Sequence, residues 1–315
     1  MSRLALTLCV ALAVLAGCKQ KSTKTQIAVI PKGTTHEYWR SVNAGAEQAG
    51  KDLGVDIIWR GPLKEDDRAA QKQVVQQFVS NRVSGIVLAP LDNRGMVEPV
   101  QLATSQQIPV VIMDSALEGQ VGKDFISFVA TDNYKGGKMA GAELARLLDN
   151  KGKVVLLRYG EGSASTLDRE KGFLDEIATH KDIVMLVSDK YAGATTDAAE
   201  KTALNMIDTI RQADGIFASN ESATAGMLGA LRTAGIAGKA KFVGFDATSA
   251  LVDALKSKEL NALVAQDPYN MGYQSVKIMV EHLQGKTVPE RVDTGVHLIT
   301  LDNLNSPEIQ KLLNH

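Results

Sequence analysis

From Ile27 onward, short β-branched runs alternate with stretches of helical periodicity. The run "IAVI" leads into a segment where Tyr38, Val42, Ala46, Ala49 and Leu53 recur at three- and four-residue spacing, which predicts an amphipathic helix. "VDII" follows, then a helix through Val75, Phe78 and Val79, then "GIVLA", a polar helix near 94–106, and "PVVIM". After "ISFVATD" the pattern predicts a helix over 134–148, then "KVVLLRY", another helix, "IVMLV", a helix near 196–212, and "GIFAS". The series closes with a helix near 222–234, "KFVGF", a short helix, "NALVA", a helix near 270–284 and a last strand near 296–300. Gly50 and Gly54, Gly235 and Gly238, and Pro109 sit where such elements should end or begin. Strands alternating with helices imply parallel sheets covered on both faces. Roughly ten strands exceed one comfortable sheet, so the expected class is α/β with two doubly wound halves.

Composition adds little to that picture. The chain has 315 residues, 44% hydrophobic and 23% charged, with a formal net charge of -1. That length suits two ordinary domains. A near-neutral balance without a long basic run gives no drive toward nucleic acid.

The first residues are more specific. "MSR", the apolar "LALTLCVALAVLAG" and then Cys18 read as an export signal over 1–17. The "LAGC" order resembles a bacterial lipobox, in which Cys18 becomes the lipidated first residue and 18–26 a tether. With Cys9 removed and Cys18 acylated, neither a disulfide nor a cysteine metal site is expected. No strand is followed by GxGxxG, and GxxxxGK[ST], GxSxG and HExxH are absent. The five His residues show no metal-ligand spacing, so neither metal nor cofactor is expected.

Candidate chemistry lies where the apolar runs stop. "VVIM" ends in Asp114, "IFAS" in Asn220, "FVGF" in Asp246 and "LVA" in Gln266. In an open parallel sheet the ligand crevice lies beyond the carboxyl ends of the strands, so these side chains point to one rim. Arg169, near the start of the helix after "KVVLLRY", can reach the same place. Carboxylates accept, amides do both, and a guanidinium donates in a fork, which suits a ligand covered in hydroxyls. Tyr38 and Trp39, adjacent in a chain that is 5% aromatic, offer rings for the apolar C–H face of a sugar. Each polar residue alone is equally a helix cap or turn residue, and the rings alone equally core. "LKEDDR" at 63–68 reads as a solvated helix start.

The motifs "NAGAEQAGKDLG", "GIVLAPLD", "IPVVIMD", "ATDNYKGGKMAG", "STLDREKGF", "IFASNESATAGMLGALRTAG", "FVGFDAT" and "LVAQDPYNMG" occur in this order. From about 26 to 300 the chain resembles the class I periplasmic sugar-binding proteins, closest to the ribose-binding type. The resemblance implies two lobes joined by three crossings, near Thr131–Asp132, Gln266–Asp267 and 293–296. The first lobe would be 27–131 plus 267–294, and the second 132–266 plus 295–315. It places Tyr38 and Trp39 at sugar-stacking positions and Asp114, Arg169, Asn220, Asp246 and Gln266 at sugar-binding ones. Ser115 stands where ribose binders carry an arginine, and Ala89 and His36 where they carry asparagines, which points to a different monosaccharide or a related polyol. The implied role is a lipid-anchored periplasmic or cell-surface protein that closes on its sugar and delivers it to the permease of an ATP-driven importer. The alternative is a sugar-sensing module for a chemoreceptor or sensor kinase. A repressor's effector domain would lack the export signal, and no nucleophile–base constellation favours an enzyme.

Overall fold

The computed structural model describes residues 24–314. Cys18 and the leader therefore lie outside the described residues, and β1 (Gln26–Ile30) begins at the last residue of the expected tether. Next come α1 (Glu37–Leu53), β2 (Asp56–Trp59), α2 (Arg68–Ser80), β3 (Gly85–Leu88), α3 (Val97–Ser105), β4 (Val110–Met113) and β5 (Ser127–Ala130). The chain then builds α4 (Asn133–Leu147), β6 (Lys151–Arg158), α5 (Ala164–Ile177), β7 (Asp182–Tyr191), α6 (Thr196–Asn205), α7 (Ile207–Ile210) and β8 (Gly215–Ala218). It closes with α8 (Glu221–Thr233), β9 (Lys241–Phe245), α9 (Ser249–Lys256), β10 (Ala262–Gln266), α10 (Pro268–Leu283), β11 (Arg291–Asp293), β12 (Val296–Ile299) and α11 (Pro307–Leu313).

Among the described residues twelve strands form two six-stranded sheets, ordered β11-β5-β4-β3-β1-β2 and β12-β10-β9-β8-β6-β7. The first is parallel throughout, and the second is parallel except for β12, which runs against β10. The expected two-lobed α/β class is what the chain adopts. The expected helix over 196–212 is instead broken at Met206 into α6 and α7. Neither β11 nor α11 was expected from the pattern. β11 is three residues long with both ends exposed, too short for an apolar run.

Strand alternation sends successive side chains to opposite faces, and both faces of each sheet are buried under helices. In β1, Ile27 and Val29 join the core beneath α1 and α10, while Ala28 and Ile30 join the core beneath α2 and α3. In β8, Ile216 and Ala218 face one core and Phe217 the other, where it stacks on Phe173 with centroids 4.4 Å apart.

The chain passes between the sheets three times. After β5, Asp132 caps α4 by accepting from the Lys135 amide at 3.0 Å, and α4 packs on the second sheet. After β10, Asp267 caps α10 through the Asn270 amide at 2.9 Å, and α10 returns to the first sheet. The third passage runs from β11 to β12 through Thr294 and Gly295. The hydroxyls of Thr131 and Thr294 lie 3.4 Å apart, tying two of the passages together. Carboxylate caps at both helix starts set where the chain turns from one lobe into the other.

Candidate functional site

All eight sequence-derived candidates reach one place. His36, Tyr38, Trp39, Asp114, Arg169, Asn220, Asp246 and Gln266 line a narrow cavity between the two lobes. It sits beyond the carboxyl ends of β1, β4, β8, β9 and β10, as doubly wound sheets require. Lys32, Glu65, Tyr159, Ser163 and Glu221 also line it and were missed in the sequence. Lys32 lies just past the end of β1, so the strand-end rule would have found it.

Asp114 and Asp246 both adopt the left-handed backbone region, with φ of 63° and 67°. That conformation turns each strand end sharply and suits Asp better than a branched residue. The Asp114 carboxylate meets one donor and one cation, while its buried Oδ2 makes no hydrogen bond among the described residues. Tyr38 donates its hydroxyl to Oδ1 at 2.9 Å, and the Lys32 ammonium sits 2.8 Å from Oδ2. Lys32 also donates to Ser165 Oγ at 2.9 Å and Ser163 Oγ at 3.3 Å, on the opposite lobe. Asp246 accepts from Gln266 Nε2 at 2.8 Å and from the Glu221 amide at 2.9 Å. Gln266 Oε1 is buried and has no hydrogen-bond partner among the described residues.

Arg169 is buried on α5. Its Nε donates to Asn133 Oδ1 at 2.8 Å and its Nη1 to the Ser219 carbonyl at 3.1 Å, with the guanidinium 3.9 Å from the Phe245 ring centroid. Only part of its donor fork is thereby used. Asn220 is largely a cap, since its Oδ1 accepts from the Ala223 amide at 3.1 Å at the start of α8. Ser115 does not line the cavity; its Oγ accepts from the Ser165 amide at 3.1 Å across the cleft.

The aromatic pair turns out to be wall and core at once. Trp39 is 2% exposed and packs with Val42 and Met271, while its face edge-on to Tyr38 (centroids 4.9 Å, planes at 84°) borders the cavity. His36 precedes α1 but offers it no side-chain cap. The Glu221 carboxylate does so from the other lobe, accepting from the Glu37 and Tyr38 amides at 3.1 and 3.0 Å. A carboxylate at a helix N-terminus also complements the dipole. Reciprocally, Glu37 Oε1 accepts from the amide and hydroxyl of Ser249.

Charge in the cavity follows these contacts. Burial alone would raise the Glu65 carboxyl, but the hydrogen bond and charge of His36, with Lys32 and the Tyr159 hydroxyl, hold it at about 2. Burial alone would lower the His36 imidazole, but Glu65, with Glu221 and Asp246, raises it to about 9. Burial raises the Asp246 carboxyl, against the pull of Arg169, Gln266 and the Glu221 amide. Among the described residues no group of three or more His, Cys, Asp or Glu side chains is placed to hold a metal ion.

The His36–Glu65 pair makes stability depend on pH. Its histidine share is fully present below 6.5 and is lost as pH rises to about 9. Its glutamate share is present above 4.5 and is lost as pH falls toward 2. The melting temperature of the wild type is expected to fall as pH rises from 6.5 to 9, and His36→Gln to lose much of that slope. Parallel melting curves for the two proteins would contradict this.

Comparison with known proteins agrees with the architecture. The periplasmic binding protein domain family matches residues 27–287. The D-ribose/D-allose-binding protein of Pseudomonas aeruginosa is 28% identical over 88% of this chain and 89% of its own length. A carbohydrate transporter solute-binding protein from Agrobacterium radiobacter, solved with D-arabinose, is 33% identical, with a TM-score of 0.88 over 93% of this chain and 100% of that one. The periplasmic component of a sugar transport system from Hahella chejuensis is 34% identical, with a TM-score of 0.84 over 87% of this chain and 99% of that one. With two α/β lobes, three passages between them and a polar cavity in the cleft, this chain belongs to the periplasmic sugar-binding proteins of class I.

Proposed function

We propose that this chain captures a monosaccharide or related polyol between its lobes and delivers it to the permease of an ATP-driven importer. The observation that carries the reading is the inter-lobe cavity, where Arg169, Asp246 and Gln266 hold unused hydrogen-bonding capacity beside the Tyr38–Trp39 rings. A neutral ligand dense in hydroxyls can use donors and acceptors of both kinds at once. Its ring C–H groups would lie against the aromatic edge. The D-arabinose held by one relative and the D-ribose or D-allose of another are ligands of this chemistry. Position 115 supplies no cation here, and Lys32 brings its charge in from β1 instead, which favours a sugar other than ribose.

The membrane attachment proposed is acylation at Cys18, which "LAGC" suggests. Anchored in this way, the protein would work outside the cytoplasm beside its permease. A thermal-shift screen of neutral monosaccharides and polyols tests the capture reading. At a hundredfold excess over Kd, a ligand that binds only the folded form adds about 2.7 kcal/mol, a clear rise in melting temperature. A full panel without any rise would overturn the reading.

A further inference from the structure

The charged run at 63–68 hides one side chain that is not solvated. Lys64, Asp66 and Asp67 are exposed, whereas the Glu65 side chain is only 8% exposed. Three donors surround its carboxylate. Trp39 donates its indole Nε1 and His36 its Nδ1, the latter at 2.9 Å, and both rings belong to the cavity wall at the start of α1. The third donor, the Tyr159 hydroxyl at 2.7 Å, follows β6 and comes from the second lobe. Burying a carboxylate is costly unless donors replace its water, and here the donors are two cavity rings and one residue from across the cleft.

We propose that Glu65 is a positioning residue for sugar capture: it fixes His36 and Trp39 against the cavity and, through Tyr159, ties their alignment to lobe closure. The inference rests on the capture reading above. When the lobes part, Tyr159 leaves with its own lobe while His36 and Trp39 stay with Glu65. Closure then adds a third donor to a carboxylate that already holds the rings in place. Charge-assisted hydrogen bonds of this kind are short and directional, which suits alignment of ring planes. His36 is faced in addition by Glu221 and Asp246 from the second lobe, and Glu65 by Lys32 from the end of β1.

Two variants test this, Glu65→Gln and Tyr159→Phe, each read by sugar affinity, release rate and NMR titration of the His36 imidazole. The His36 signal is assigned by its loss in His36→Gln. In Glu65→Gln the His36 midpoint should fall from about 9 toward 6.5, with affinity weaker by roughly thirtyfold. Tyr159→Phe should leave the His36 midpoint near its wild-type value and weaken affinity by roughly fivefold, through faster release. If Glu65→Gln does not fold, Tyr159→Phe still carries the cross-lobe half of the test. Wild-type affinity in either variant, or an unmoved His36 midpoint in Glu65→Gln, would overturn the proposal. A wild type that binds no sugar would instead overturn the capture reading, while the His36 midpoint still reports whether Glu65 governs the imidazole.

Discussion

Asp246→Ala is expected to weaken binding of the cognate sugar by roughly a hundredfold. Asp246 directly follows β9 and lines the cavity in the field of the Arg169 guanidinium. Truncation removes an ionised acceptor, and hydrogen bonds to charged groups are worth about 1.5–3 kcal/mol each. It also frees Gln266 Nε2 and the Glu221 amide, both of which now donate to this carboxylate. Part of any loss of fold stability in the Ala variant comes from the backbone, because φ of 67° disfavours alanine. Asp246→Asn separates the two effects, since Asn tolerates that backbone and keeps one acceptor; its affinity should fall by roughly tenfold. Calorimetry with the sugar, beside melting curves without it, decides. A lowered melting temperature with unchanged affinity would make Asp246 a structural turn residue only.

Gly45→Ala is expected to destabilise the ligand-free protein by about 3 kcal/mol and lower its melting temperature by about 6–12 °C. Helices α1 and α10 touch backbone to backbone here. A Cβ at Gly45 would lie 1.9 Å from the Tyr269 carbonyl oxygen, and one at Gly272 would lie 2.0 Å from the Val42 carbonyl oxygen. Backbone cannot yield as a flexible side chain can, so the helices must separate and open the core around Met271 and Val42. Because α1 also carries His36, Tyr38 and Trp39, the damage reaches the cavity wall. Gly160→Ala is the control, since a Cβ there meets nothing within 4 Å. Equal melting temperatures for the two alanine variants would show that this helix contact is looser than its distances imply.

The strands that bury both faces announced themselves as continuous β-branched runs, and the rule that ligands sit beyond their carboxyl ends led directly to Asp114, Asp246 and Gln266. What the pattern missed has physical causes. β11 is three residues at a sheet edge, with no apolar run to betray it. Glu65 lies in a run of charges whose other members are solvated, and only the fold brings Tyr159 and His36 to it. Asp114 also has a role within the protein, because Tyr38 donates to its Oδ1 and Lys32 pairs with its Oδ2, which makes no hydrogen bond among the described residues. It orients two other cavity groups and keeps an acceptor open for a ligand. Asn220 likewise spends its carbonyl oxygen on capping α8, the ordinary use of Asn at a helix start. For Trp39 the choice between core and wall was a false one, since a large ring has two sides.

Capture of a sugar between the lobes is tested directly by a crystal structure of the mature chain with the sugar that most raises its melting temperature. One pyranose- or furanose-sized ring is expected in the cleft, with hydroxyls within hydrogen-bond distance of Arg169, Asp246 and Gln266 and a C–H face against Tyr38 or Trp39. Sugar bound only on the outer surface, with the cavity lined by Arg169, Asp246 and Gln266 unchanged, would contradict capture between the lobes.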